Sequence, residues 1–232
     1  MPQLAVTRGT LHVAFANIPA IKQNVRMVNK NMNRCFYSNN TGSEYEDSRA
    51  RELMAVLNTC DALLDLHSFR DPAGLPFTIC EESSLDLAKK LVPTIISTNW
   101  ANMEPGATDG YMYALGKIGV CVECGPISQS DAYVPLATKV IGQFLTYYHM
   151  AVNPVELAGD TKEIIHAYKA VKRVSERFYL NPDFHNFQVL DAGQVIGYQD
   201  NEVYRAVAGD CIIFPRPNAA IGTEAFILGR RA

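Results

Sequence analysis

The chain has 232 residues, 48% of them hydrophobic, which is enough for one large domain or a main domain with a small appendage. Its 21 basic and 24 acidic residues leave a formal net charge of −3, which argues against nucleic acid or an anionic membrane as partner. No run of about 18 apolar residues exists, and the opening "MPQLAVTRGTLHV" lacks the basic-then-apolar form of a signal peptide, so a soluble protein is expected, and its irregularly spaced cysteines fit a reduced cytoplasm best.

In chain order, "LHVAFAN" (11–17) alternates and predicts a strand, with an irregular polar stretch following through "SNNTGS". "EYEDSRARELMAVLNTC" is helical, with Leu53, Val56 and Leu57 at core spacing. Strands follow at 62–66 and 76–80, then a helix near 84–92. "TDGYMYALGK" predicts a helix capped at Thr108 that leads into the strand "GVCVE" (119–123). In "DAYVPLATKVIGQFLTYYHM", Ala137, Val140, Ile141, Phe144, Leu145 and Tyr148 form one apolar stripe, with Pro135 in the first turn. Strands alternating with helices imply an α/β sheet covered on both faces. From about Phe178 onward, short alternating segments broken by turns indicate a small all-β module, and the boundary is expected near residue 153. That divides the chain into 1–153 and 154–232.

Three places could carry chemistry. Arg26, Asn33 and Arg34 share a loop beyond a strand, where guanidinium forks suit a carboxylate; the alternative is a solvated basic loop. His67 ends a strand, where open α/β sheets place their ligands, and competes with the reading of a core histidine held by one hydrogen bond. Glu123 ends an apolar strand, where a carboxylate must be bonded or functional. "EDSRARE" reads as a structural helix with ion pairs at three- and four-residue spacing. The six cysteines, including the Cys121 and Cys124 pair in a β-type run, read as structural thiols.

Five stretches occur together in one order: "NIPA" (17–20), "R…NMNR" (26–34), "YEDSRA", "DLHS" (65–68) and "VECGP" (122–126). In this order they resemble the aspartoacylase/succinylglutamate desuccinylase family, and "GDCIIFPRPNAAIGTEAFILG" is similar to that family's small β domain. The resemblance implies a zinc-carboxypeptidase-like mixed sheet flanked by helices, with a small C-terminal all-β domain. It implies Zn2+ held by His67 together with the His and Glu of an H-G-x-E turn, Glu123 as general base and Arg26 as oxyanion stabiliser. Arg26, Asn33 and Arg34 would bind the substrate.

The sequence departs from the pattern in three places. No H-x-x-E occurs in it, and the turn is expected upstream of Met1. Zinc is therefore expected to bind weakly or not at all, since a catalytic site normally needs three protein ligands. Asn31 stands where the family has an aspartate, which implies a weaker contact behind the metal ligands. Tyr113 stands where aspartoacylases carry an arginine, which disfavours a dicarboxylate amino-acid product. The reaction implied is hydrolysis of an N-acyl amino acid or related acyl-amine. The alternatives are a zinc-free remnant that binds a small carboxylate, or a zinc carboxypeptidase, against which the C-terminal β segment argues. An under-covered sheet edge is expected to favour a homo-oligomer.

Overall fold

A computed structural model describes residues 6–232. The elements run α1 (Ile18–Gln23), α2 (Tyr45–Leu57), β1 (Ala62–Phe69), β2 (Phe77–Cys80), α3 (Leu85–Lys89), β3 (Ile95–Thr98), α4 (Trp100–Met103), α5 (Thr108–Ala114), β4 (Ile118–Pro126) and α6 (Ser130–Tyr147). The strands β5 (Glu163–Lys172), β6 (Phe178–Leu180), β7 (Gln188–Val189), β8 (Val195–Gln199), β9 (Glu202–Arg205), β10 (Asp210–Ile213) and β11 (Glu224–Arg231) follow. Eight strands form one mixed sheet in the order β1-β4-β2-β3-β5-β11-β10-β7, and β6-β8-β9 form a small antiparallel sheet.

The core follows from strand alternation. On β4, Val120, Val122 and Cys124 pack with Leu64 of β1 and with Val140, Phe144 and Leu145 of α6. The opposite face carries Cys121, which packs with Ile79, Trp100, Ile165 and Ile227. A further cluster joins Ala50, Met54 and Leu57 of α2 to Tyr111 and Met112 of α5, with Met32, Cys35 and Phe36 from the preceding loop. β4 can be apolar along almost its whole length because layers cover both of its faces.

Several expectations are corrected. Residues 11–17 form no strand: the alternating side chains of Val13 and Phe15 are exposed, and the segment runs irregularly into α1, so His12 lies outside any strand. Among the described residues no neighbouring strand offers it a ladder, and Pro19 lies in the first turn of a helix instead. Val56 is exposed, while Met54 and Ala50 take the inner face of α2. Ala107 rather than Thr108 caps α5, because the Thr108 hydroxyl is directed to Asp65. Pro135 lies beyond the first turn of α6. The boundary expected near residue 153 falls in the irregular link between α6 and β5. β5 then pairs parallel to β3, so the C-terminal strands extend the main sheet.

Candidate active site

β1 and β4 lie parallel, with Asp65 opposite Cys121 and His67 opposite Glu123. Side chains two apart on a strand share a face, so these four groups project together on the side where α5 packs. Gly119 allows that close packing: a β-carbon there would come within 3.0 Å of the Asp109 backbone. As a result Thr108, at the start of α5, donates its hydroxyl to Asp65 Oδ2 at 2.5 Å.

The same Asp65 oxygen lies 3.0 Å from His67 Nε2, leaving Nδ1 to face Glu123 Oε1 at 3.8 Å. Burial works against the charged imidazole, but Asp65 and Cys121 outweigh it and hold the His67 pKa well above its ordinary value. Burial pushes the Glu123 carboxyl up, and Asp65 adds to this while His67 and Arg26 oppose it. Asp109, buried nearby, is pushed up to about 7, first by burial and then by Asp65. Glu123 is 6% exposed, and its Oε2 has no hydrogen-bond partner among the described residues.

Arg26 sits in the loop between α1 and the short 3-10 turn Met32–Arg34. The buried Glu46 of α2 anchors this loop: its Oε1 accepts from Val28 N at 2.8 Å, Asn29 N at 3.1 Å and Asn17 Nδ2 at 3.0 Å. Burial alone would raise the Glu46 pKa, but these donors outweigh it and the pKa falls. "YEDSRA" therefore does more than pair charges along its helix. The Arg26 pKa is lowered, first by burial and then by Arg216, Arg70 and Arg34, while Glu123 acts in the opposite sense. Those couplings put Arg26 in the same charge field as the Glu123 carboxylate.

Asn31 caps the turn that carries Asn33 and Arg34, its Oδ1 accepting the Asn33 N–H at 3.1 Å. Arg34 donates to the Asn33 carbonyl at 2.7 Å and reaches Glu104 Oε1 at 2.7 Å and Glu224 Oε2 at 3.6 Å. The Arg216 guanidinium lies 4.0 Å from the same Glu224 oxygen. Tyr113 is exposed on α5. His67 and Glu123 thus meet directly, Arg26 joins them electrostatically, and Arg34 is tied to acidic side chains from two other segments.

Sequence reasoning took Cys121 as a structural thiol and did not single out Glu104, Glu224, Arg70 or Arg216. Cys121 stands two residues before Glu123, so period-two alternation already puts it on the same face. The other four arrive from distant segments with no spacing signal. Among the described residues, His67, Cys121 and Glu123 form one group of metal-capable donors, all within 4.8 Å of one another. Nitrogen, sulfur and oxygen donors with an unpartnered buried carboxylate oxygen fit a divalent ion of the zinc type. Of the ligand set implied by the resemblance, this sequence carries His67.

Comparison with known proteins follows the same lines. The model for the succinylglutamate desuccinylase/aspartoacylase catalytic domain matches residues 2–140. A probable aspartoacylase of Parasynechococcus marenigrum is 28% identical over 143 residues, covering 56% of this chain and 47% of that protein. A succinylglutamate desuccinylase of Pseudoalteromonas atlantica is 24% identical over 242 residues, covering 92% of this chain and 69% of its own length. The solved structure of a Vibrio cholerae succinylglutamate desuccinylase superposes with a TM-score of 0.73 at 18% identity, covering 92% of this chain and 68% of that one. The chain spans about half the length of the aspartoacylases it matches, 47% of one and 46% of another. With a catalytic-domain match over more than half its residues and the same fold beneath it, the chain belongs to the succinylglutamate desuccinylase/aspartoacylase family.

Proposed function

We propose that this chain carries the acid–base and substrate-holding groups of a metal-dependent deacylase that hydrolyses the amide of an N-acyl amino acid. The observation that supports it best is Glu123: a buried carboxyl facing His67 Nδ1 at 3.8 Å, with one oxygen unpartnered and Arg26 nearby. Zinc held through His67 would supply, when bound, a water acidic enough to ionise near neutral pH and a polarised acyl carbonyl.

Glu123 accepts the proton of the attacking water and delivers it to the leaving amine, so that amide and water give a carboxylic acid and a free amine. Its burial raises its proton affinity, which suits a group that must first take a proton and then release it. Arg26 faces the charge that develops on the acyl oxygen and is needed only as that charge forms. Asn33 and Arg34 hold the substrate carboxylate, and the contacts to Glu104 and Glu224 fix the direction of the Arg34 fork. Asp65 positions His67 by holding its Nε2.

The test is hydrolysis of a panel of N-acetyl and N-succinyl amino acids by zinc-supplemented protein. Glu123→Gln should lower kcat by at least about 10²-fold while leaving binding of the free carboxylate within a few-fold. A second reading, a carboxylate-binding protein without hydrolysis, draws support from the guanidinium groups of Arg216, Arg70 and Arg34 that share a charge field with Arg26. Binding of the free carboxylates with no turnover of any panel member would replace the first reading with the second.

A further inference from the structure

We propose that Arg216 is a further substrate-binding residue: with Arg34 it forms a two-guanidinium clamp on the substrate carboxylate, supplied by the C-terminal strands. This deepens the deacylase reading at its carboxylate-holding end and rests on that part of it.

One shared oxygen brings the two heads together. Glu224, the first residue of β11, presents its Oε2 at 3.6 Å from Arg34 Nη2 and 4.0 Å from Arg216 Nη1. Like charges repel, and a carboxylate between them keeps both guanidiniums in one place. Arg34 also donates to the Asn33 carbonyl and reaches Glu104. Arg216 differs: Glu224 stands beyond hydrogen-bond reach, and among the described residues the guanidinium has no closer acceptor. Its side chain is only 32% exposed, so five N–H donors in a planar fork are left open to a ligand, and that fork matches a carboxylate.

The turn that carries Arg216 fixes its direction. Phe214, just past β10, has a φ of +50°, in the left-handed region that a bulky side chain rarely adopts. Its N–H donates to Asn186 Oδ1 at 2.5 Å, and its ring packs 5.4 Å from Phe77 and 5.6 Å from Trp100. Phe77 is the Cα partner of Glu123, which pins the turn beside the proposed base. The Arg216 guanidinium lies 5.5 Å from the Phe214 ring, and its backbone N–H is held by Ala225 O at 2.7 Å. Strain kept at a residue that aims a charged side chain is a common feature of ligand sites. Asn186 also donates its backbone N–H to Asp71 Oδ2 at 2.7 Å, tying the loop that carries Arg70 to the same turn.

The charge balance calls for an anion. The four guanidiniums of Arg26, Arg34, Arg70 and Arg216 stand against the three carboxyls of Glu104, Glu123 and Glu224, and burial favours the neutral form of Glu123. A substrate carboxylate supplies the missing negative charge.

The experiment is calorimetric binding of the N-acetyl and N-succinyl amino acids, each beside its carboxamide, to full-length chain carrying Glu123→Gln so that the ligand persists. Adding Arg216→Gln should weaken binding of the acid by about 10- to 100-fold and change binding of the carboxamide by no more than a few-fold. Arg216→Lys, which keeps the charge but not the fork, should recover part of the loss. Arg205→Gln, on the small sheet, should leave both ligands within a few-fold. With Glu123 restored, Arg216→Gln should raise KM and leave kcat within a few-fold. Unchanged affinity for the acid, equal losses for acid and carboxamide, or no binding by any panel acid would overturn the proposal. Should Arg216→Gln fail to fold, Arg216→Lys decides: a loss confined to the acid supports the clamp, and none refutes it. Acid-selective loss of binding in a chain that turns over no panel member would keep the clamp and remove the deacylase reading. Normal turnover with acid binding indifferent to Arg216 would do the reverse.

Discussion

At Gly119 a single missing β-carbon sets the distance between α5 and β4. An added carbon would meet Met112 Cβ at 2.9 Å and the Asp109 backbone at 3.0 Å, and neither is the far end of a flexible side chain. Gly119→Ala should therefore destabilise the fold by about 1–3 kcal/mol in urea unfolding. Gly159→Ala, with nothing within 4 Å, should stay within about 0.5 kcal/mol of the wild type. Equal effects of the two would mean that α5 can move off the sheet without cost. At this scale the sequence was readable wherever a motif or an alternation carried the information. His67 and Glu123 stood out because each ends an apolar run. Cys121 was recognised as a strand residue but assigned to packing, although its offset from Glu123 already gave its facing. Arg216 and Glu224 were beyond such reading, since only tertiary folding brings them to Arg34.

Among the elements, the loop from α1 to the Met32–Arg34 turn owes its shape to a helix it precedes in the chain. Glu46 offers its carboxylate to two backbone amides of that loop, and no local periodicity in residues 17–34 could have announced this. The same lack of local signal explains the misread strand at 11–17, where alternation exists but no partner strand does among the described residues. β10 offers a comparable case with a measurable consequence. Asp210 is 1% exposed, accepting from Val207 N at 2.9 Å, Tyr168 Oη at 2.8 Å and Arg230 Nε at 2.9 Å. Burial alone would raise its pKa, but these donors outweigh burial and depress it. The unfolded chain then binds the proton more readily than the folded one. The resulting stability is complete above the ordinary carboxylate pKa and is lost as pH falls through the depressed value. Asp210→Asn should lower Tm at about pH 7, and the gap to wild type should narrow steadily toward about pH 3. A gap that does not change with pH would assign the effect to packing and not to charge.

At the scale of the whole molecule, β1 forms one edge of the mixed sheet among the described residues. There β1 pairs with β4 alone, and in the segment from residue 13 to 25 the side chains of Val13, Phe15, Ile21 and Val25 are exposed. An unpaired strand edge together with exposed apolar side chains favours association with another copy. Light scattering across a concentration series should show a dimer or higher species, and the double substitution Phe15→Ser and Ile21→Ser should shift it toward monomer. A monomer at all concentrations would show that the exposed side chains carry no association. The mixed sheet was legible from alternating strands and helices, but its extent was not, because β5 joins β3 across more than sixty intervening residues. That pairing, from Ile95 opposite Glu163 to Thr98 opposite His166, also separates two properties that usually travel together. A backbone cut in the link between α6 and β5 would break the chain without breaking the sheet. Each fragment would keep half of a shared ladder and could serve as template for the other. At the point where the sequence texture changes most, the chain is carried by peptide bonds and the sheet by the β3–β5 ladder, two separate connections.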